Sequence, residues 1–194
     1  MERTLQMQVF ITKWLSGDTA TGRIMCRRKS RNASFCPRCG ATDEHLLHVI
    51  TCPCREASKL RSTTMTNLQQ WFDTRQTHPA ISRFFIMGFN KWVNNKDHVW
   101  RTNSAIFSDC PTINRALNSQ LRVSWYYMIC GMITKDLINL QQIHYHQLSS
   151  LRSANRWATD LIKFFWNFLH SLWLQRNEAL HKEASIYKNS RRVI

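Results

Sequence analysis

Glycine, proline and acidic side chains are scarce in this sequence. Only five Gly and four Pro occur in 194 residues, which excludes a collagen-like chain and argues against a loop-dominated β-sandwich. The sequence contains 12 acidic and 27 basic residues, so the formal net charge is +15. Apolar material is plentiful, since 43% of the residues are hydrophobic and eight Trp and ten Phe are among them. That supply is enough to bury a core and excludes wholesale disorder.

Long apolar runs are also missing. The best candidate, residues 123–133, falls well short of the roughly 20 apolar residues of a membrane-spanning helix. The N-terminal residues Met1-Glu2-Arg3-Thr4 contain no hydrophobic export core. We therefore expect an intracellular protein, nuclear or cytoplasmic, with no membrane partner and no small-molecule substrate.

Apolar residues recur at three- and four-residue spacing over most of the chain, and no segment shows the sustained alternation of a strand. The pattern predicts an all-α protein. The spacing Cys36-x2-Cys39-x8-His48-x3-Cys52 adds a CCHC zinc knuckle embedded in the helical domain. Residues 34–54 should be irregular around one short helix, and a second short helix should follow Thr19 or Thr21. The longer helices are predicted over residues 4–16, 55–72, 79–93, 111–133, 135–148 and 153–184.

The weakest helical pattern lies in the polar stretch 94–109, which predicts a boundary. We accordingly divide the chain into three parts. Residues 1–94 hold the N-terminal helix, the knuckle and the helices after it; residues 95–110 form a connection; and residues 111–194 form an aromatic-rich helical segment.

Four of the seven cysteines fall within residues 36–54. An odd number of cysteines in a reducing compartment argues against a disulfide framework. The spacing C-x2-C-x8-H-x3-C supplies three thiolates and one imidazole, a set that suits tetrahedral Zn(II). The sequence predicts one structural zinc ion per chain, with no open position for catalysis, and its ligands are Cys36, Cys39, His48 and Cys52.

Two residues could replace members of that ligand set. His45 lies seven residues before Cys52, on the same helical face, and could replace His48; Cys54 could replace Cys52. We favour His48, because residues four apart on a helix reach a common ion with little backbone adjustment. Arg38 and Arg55 could offset the net negative charge of three thiolates around Zn(II).

A basic block precedes and enters the knuckle, with no acidic residue between positions 23 and 38. Such a localised positive field attracts polyanions, so we predict contacts with RNA or DNA. Arg38 should be the best placed, because zinc would immobilise its loop. Phe35 could stack on a base or pack under the knuckle. The predicted nucleic-acid-binding residues are Arg23, Arg27, Arg28, Lys29, Arg31 and Arg38.

At these residues the sequence resembles the zinc-binding domain that follows the polymerase in non-LTR retrotransposon reverse transcriptases. Two further landmarks are similar to that family, Thr21-Gly22-Arg23 and Trp173-Leu174-Gln175-Arg176-Asn177. The resemblance implies a nucleic-acid-binding module and a reverse transcriptase polymerase domain as a partner. In the family the His-to-Cys spacing is often one residue longer than here, which keeps the His45 alternative open.

Catalytic motifs are missing. No Asp-Asp dipeptide of the kind that holds polymerase metal ions occurs, and no Pro-Asp followed by Glu-x-Lys or Asp-x-Lys appears. We therefore expect a module that is not an enzyme on its own. The alternative function is a zinc-stabilised protein-interaction module whose basic face docks an acidic partner.

Overall fold

A computed structural model describes the backbone of residues 5–94 and 110–190 and the side chains of residues 5–94 and 110–182. Within these ranges the chain forms helices and no strand, which confirms the all-α prediction. None of the described helices has the length and apolarity that crossing a bilayer requires. The helices are α1 (Leu5–Leu15), α2 (Gly22–Arg27), α3 (Leu46–Thr51), α4 (Arg55–Thr74), α5 (Pro79–Asn94), α6 (Pro111–Leu121), α7 (Trp125–Ile129), α8 (Lys135–Gln147) and α9 (Ala154–Ser190).

Most predicted helix limits agree with the structure, but the helix predicted over residues 111–133 is wrong. It divides into α6 and α7 because Ser124 has φ +69°, a conformation that a right-handed helix cannot contain. The final helix continues to Ser190, beyond the predicted end at residue 184.

The chain forms two compact units. Unit 1 consists of Met1–Arg61 and Asn167–Ile194, and unit 2 consists of Ser62–Trp166. Helices α4 and α9 each contribute residues to both units, so the grouping differs from the sequential division into residues 1–94, 95–110 and 111–194. Residues 95–109 of the predicted connection lie outside the described residues, and that division stays a prediction.

Unit 1 contains a small apolar core. In α1, Phe10 and Trp14 are buried at four-residue spacing, and their ring centroids are 5.4 Å apart. The Phe10 ring also lies 4.8 Å from the His170 ring of α9. Val49 and Ile50 of α3 are fully buried, so the short helix next to the cysteines is anchored by its apolar residues.

Unit 2 is built around aromatic side chains. The Phe85 ring of α5 lies within 6.2 Å of the rings of Phe72, Phe84, Trp125 and Phe165. Helix α6 packs against α5 and α8. The spacing of apolar residues along α5 and α9 places these rings on one face of each helix, which is why the sequence pattern located both helices.

Candidate metal centre

Four side chains from the cysteine-rich segment converge in unit 1. The ligand atoms of Cys36, Cys39, His48 and Cys52 all lie within 4.8 Å of one another. Cys36 Sγ is 3.9 Å from Cys52 Sγ, and Cys39 Sγ is 3.3 Å from His48 Nε2. Two sulfurs bound tetrahedrally to zinc would be about 3.8 Å apart, given a Zn–S bond of about 2.3 Å. The donor set and its spacing therefore fit one metal ion of this size.

The first half of the cluster is a tight turn. The Gly40 N–H donates to the Cys36 carbonyl over 2.9 Å, and the Cys36 N–H donates to the Ala41 carbonyl over 2.8 Å. Gly40 has φ +72°, which glycine adopts without the strain that a side chain would bring. This turn carries Cys36 and Cys39 towards the same point.

The second half of the cluster is α3. His48 is in the last turn of this helix, and Cys52 is the residue at which the helix ends. The i, i+4 spacing brings the His48 imidazole and the Cys52 sulfur to one side, as the sequence predicted. Cys36 and Cys52 are almost completely buried, with exposed fractions of 1% and 0%, so the cluster is shielded on its sulfur-rich side.

The two alternative ligands have other roles in the structure. His45 Nδ1 accepts the His48 backbone N–H over 3.2 Å and thereby caps α3. Cys54 Sγ accepts the Ala57 N–H over 3.4 Å at the start of α4. The structure therefore assembles the cluster from His48 and Cys52 and places both alternatives at helix starts.

The sulfurs of the cluster are electrostatically coupled. A hydrogen bond joins the Cys36 and Cys52 sulfurs, and it lowers the pKa of Cys36. The same contact raises the pKa of Cys52, with burial acting in the same direction. Of these two sulfurs Cys36 is the better prepared to be a thiolate, which is the form that binds metal.

Two guanidinium groups adjoin the cluster. Arg61 is buried and its Nη1 donates to the carbonyls of Ile50 and Cys52, both over 2.9 Å. Burial lowers the pKa of Arg61, and the charge of Cys52 opposes that shift. Arg38 Nη2 donates to the Val49 carbonyl over 2.7 Å. Arg61 therefore takes the charge-offsetting place that the sequence suggested for Arg55, which is exposed.

Sequence reasoning missed Glu44, which is completely buried one residue before the α3 cap. Its carboxylate accepts charge-assisted hydrogen bonds from two nitrogens of Arg176: Nε donates to Oε1 over 3.0 Å and to Oε2 over 3.2 Å, and Nη2 donates to Oε2 over 2.5 Å. Arg176 is itself only 1% exposed. Its position four residues after the buried Leu172 could have indicated its burial, because that spacing continues the buried face of α9.

Glu44 also fixes the chain that enters α2. The Gly22 N–H donates to Glu44 Oε2 over 2.7 Å, and the Arg23 N–H donates to the Glu44 carbonyl over 3.0 Å. A Cβ on Gly22 would lie 2.4 Å from the Ser34 carbonyl oxygen, so a side chain there would force the backbone apart. The landmarks Thr21-Gly22-Arg23 and Arg176-Asn177 thus meet at one buried carboxylate.

The basic residues predicted to contact nucleic acid divide by environment. Arg23 forms an ion pair with Asp43, and Arg28 forms one with Asp18. Arg31 lies over the Phe35 ring at 4.1 Å, and Phe35 remains 37% exposed. Arg27 and Lys29 are exposed and have no ion pair with any described residue.

Arg38 differs from the rest of the predicted stripe. It is partly buried, and besides its bond to Val49 its Nη1 lies 3.5 Å from Gln175 Oε1. Its Nε is buried without a hydrogen-bond partner among the described residues. Arg38 is therefore packed into the knuckle and does not project from it with Arg27 and Lys29.

No family model, curated protein or solved structure matches this chain.

Proposed function

We propose that this chain is a zinc-stabilised nucleic-acid-binding module of the reverse transcriptase zinc-binding kind, without catalytic activity of its own. The observation that carries the proposal is the convergence of Cys36, Cys39, His48 and Cys52 within 4.8 Å. Three sulfurs and one imidazole nitrogen form a donor set that binds Zn(II) in preference to harder cations. The proposed partners are RNA or DNA and a polymerase domain.

Zinc at this site would be a structural ion that joins the turn at Cys36 to the end of α3. Four protein donors complete a tetrahedral shell, so no position is left for a substrate or an activated water. Around it, Arg38 and Arg61 supply positive charge and satisfy the carbonyls of Val49, Ile50 and Cys52. Metal binding should therefore make residues 34–54 rigid.

The basic segment that leads into this knuckle supports nucleic acid as the ligand. Arg27 is the last residue of α2 and Lys29 follows two residues later, and both side chains are exposed. They belong to a chain of net charge +15. Helix α2 is tied to Glu44 through the N–H groups of Gly22 and Arg23, so its exposed cations lose little backbone entropy on contacting phosphates. Arg23 and Arg28 would first have to exchange their carboxylate partners for phosphates, so we expect smaller contributions from them.

The test is the salt dependence of binding to a fixed oligonucleotide. Arg27→Ala/Lys29→Ala should weaken binding to all sequences alike and flatten the log–log salt slope by about one unit per lost contact. The matched control is Arg122→Ala/Lys135→Ala, which removes the same two residue types from exposed positions of unit 2. Equal effects of the two double variants would mean that +15 acts as a diffuse charge without a defined face.

A second candidate function, a protein-interaction module, is favoured by one observation in unit 1. A cleft of about 500 Å³ between α1 and α9 is lined by the exposed apolar side chains of Leu5, Val9 and Leu174, with Lys13 among the lining residues. An acidic partner with an apolar face would match this surface. Zinc-loaded protein with no affinity for RNA or DNA at low salt would favour this candidate over nucleic-acid binding.

A further inference from the structure

Three arginines line one pocket in unit 2, far along the sequence from the metal centre. The pocket has a volume of about 340 Å³ and is formed at the start of α9. Its lining includes Arg75, Arg152 and Arg156 together with the Tyr145 and Ser153 side chains. No part of the metal centre or of the basic segment near α2 contributes to it.

Hydrogen bonds fix the walls of this pocket. The Tyr145 hydroxyl donates to the Arg75 carbonyl over 2.8 Å, and Arg152 Nη1 donates to the Thr74 carbonyl over 2.9 Å. Both bonds attach the last turn of α8 and the segment that follows it to the C-terminal end of α4. Burial raises the pKa of Tyr145, while the positive charges of Arg152 and Arg75 act in the opposite direction. The phenol is therefore within the field of both arginines.

The charge of the pocket is positive on balance. Asp160 is its one acidic lining residue, and three arginines against one carboxylate give 3 − 1 = +2. Arg75 Nη2 lies 3.6 Å from Asp160 Oδ2, and Lys163 Nζ outside the lining lies 3.2 Å from Asp160 Oδ1. The carboxylate is thus shared by two cations. Arg156 is exposed and has no ion pair with any described residue.

The start of α9 strengthens this field. The helix is 37 residues long, and its first turn lies at the pocket. Unpaired N–H groups and the helix dipole give such an end a partial positive charge. Within this turn Gln142 Oε1 accepts the Ala154 N–H over 3.0 Å and Ser153 Oγ accepts the Arg156 N–H over 3.4 Å, which leaves the Asn155 N–H without a partner among the described residues.

We propose that this pocket binds a phosphate group, either a terminal phosphate or an internal phosphodiester of a nucleic-acid strand. Planar guanidinium groups match phosphate oxygens in pairs, and the N-terminal turn of a helix adds a partial positive charge. Leu151, whose side chain is fully exposed at the rim, offers an apolar surface to the sugar or base next to that phosphate. Phosphate binding by this pocket does not depend on the function proposed above; the assignment of that phosphate to a nucleic-acid strand does.

The first experiment uses the full chain and inorganic phosphate alone. Phosphate should shift the backbone amide resonances of residues 153–157 saturably in the wild type. Arg156→Ala should raise the dissociation constant about tenfold, since it removes one charge-assisted contact. The matched control is Arg115→Ala, an exposed arginine of α6 outside the pocket. Shifts that do not saturate, or equal weakening by the two variants, would overturn the proposal.

A second variant keeps the test independent of folding defects. Asp160→Asn removes the carboxylate that competes with phosphate for Arg75, so it should strengthen phosphate binding severalfold. A purely structural cluster would lose an ion pair and gain no affinity. Unchanged or weaker phosphate binding by Asp160→Asn, in protein with native amide spectra, would therefore count against the site.

The last arm identifies the source of the phosphate. Oligonucleotides of one sequence with a 5′-phosphate or a 5′-hydroxyl are compared by fluorescence anisotropy, for the wild type, Arg156→Ala and Arg115→Ala. A loss by Arg156→Ala confined to the phosphorylated strand assigns a terminal phosphate, and an equal loss on both strands assigns a phosphodiester. If Arg156→Ala lost no more oligonucleotide affinity than Arg115→Ala, nucleic acid would be excluded as the source of the phosphate. This conclusion would hold even if the Arg27→Ala/Lys29→Ala test succeeded.

Discussion

Units 1 and 2 are stabilised by different kinds of interaction. The interior of unit 1 contains the sulfur cluster and three buried charged side chains, Glu44, Arg61 and Arg176. The interior of unit 2 contains stacked and tilted aromatic rings, such as Phe84 on Trp125 with centroids 5.2 Å apart. Unit 1 therefore depends on a few strong, directional contacts, whereas unit 2 depends on many individually weak ones.

This difference sets how each unit should respond to damage. A metal ligand or a buried ion pair cannot be replaced by its neighbours, so its loss removes most of the stabilisation of its segment. A ring in a packed core shares its contacts with many residues, so its truncation lowers stability by a bounded amount. The predictions below probe this contrast, beginning with the metal ligands.

The largest effect is expected from Cys36→Ser, which should abolish stoichiometric zinc and unfold residues 34–54. Structural zinc contributes on the order of 10 kcal/mol to folding of such segments. Hydrogen exchange should show lost protection in that segment and retained protection over residues 110–166 of unit 2. Elemental analysis of wild-type protein, prepared under reducing conditions, should give one zinc per chain.

The matched control for this prediction is Cys54→Ser, two residues from the last ligand. Serine can still accept the Ala57 N–H that Cys54 accepts, so zinc content and protection should be unchanged. If Cys54→Ser lost zinc while Cys52→Ser retained it, Cys54 would be the fourth ligand in place of Cys52. Collapse of unit 2 in Cys36→Ser would contradict the contrast between the units.

The next largest effect is expected at the buried ion pair. Arg176→Met leaves the Glu44 carboxylate buried without its cation, which should destabilise the chain by about 3–5 kcal/mol. Urea denaturation measures this loss. Glu178→Gln, in an exposed ion pair with Lys182, is the matched control and should have little effect, because exposed pairs contribute little.

A double variant sharpens the same point. Glu44→Gln/Arg176→Met removes both charges, so it should recover part of the stability that Arg176→Met alone loses. The amide oxygen of the introduced glutamine can still accept the Gly22 N–H. A loss of stability in the double variant equal to the sum of the losses of Glu44→Gln and Arg176→Met would mean that the two residues act independently, against the geometry of their hydrogen bonds.

The same contrast explains what could be predicted from sequence. Helices α5 and α9 were located because apolar spacing is a local signal, and the Cys/His cluster was found because its four residues lie within 17 positions of the sequence. The Glu44–Arg176 pair joins residues 132 positions apart, and no local pattern indicates such a partner. The break at Ser124 also escaped, since neither glycine nor proline marks it.

Charge in the sequence was a poor guide to orientation. Six basic residues near α2 have the same formal charge, yet Arg27 projects into solvent and Arg38 packs against Val49 and Gln175. Side-chain direction follows from the turn that the cysteines form, which depends on tertiary contacts. A list of cations therefore predicted a basic region and could not predict its exposed subset.

In unit 2, Gly88→Ala should lower the stability of the protein, by less than the changes above. This direction is opposite to the usual effect of replacing a helical glycine with alanine. Alanine in a helix interior normally stabilises by about 1 kcal/mol relative to glycine. Here the added Cβ would lie 2.2 Å from a Trp125 ring carbon, so we expect a loss of about 1–3 kcal/mol from overpacking. Trp125→Phe in the same chain removes that ring carbon. Urea denaturation of the double-mutant cycle should show a favourable coupling, and additive effects would contradict the close packing.

The smallest effect concerns pH and the neighbouring rings of His78 and His144 in unit 2, whose centroids are 5.0 Å apart. Burial lowers the pKa of His78, with the His144 charge acting in the same direction, and burial lowers the pKa of His144. Below the ordinary histidine pKa of about 6.5, the unfolded chain therefore binds more protons than the folded chain. Stability should fall as pH decreases from about 7.5 to about 5.5, a window that brackets that ordinary pKa.

The local reason for this loss is the cap of α5. His78 Nδ1 accepts the Ala80 N–H over 3.1 Å, and a proton on that nitrogen removes the acceptor. His144→Asn eliminates one titrating ring and its repulsion of His78, so urea midpoints at the two pH values should differ less than in the wild type. His146→Asn replaces an exposed histidine of the same helix and should retain the wild-type difference. An identical pH dependence in all three proteins would exclude the His78–His144 contact as its source, and the remaining loss would belong to other groups.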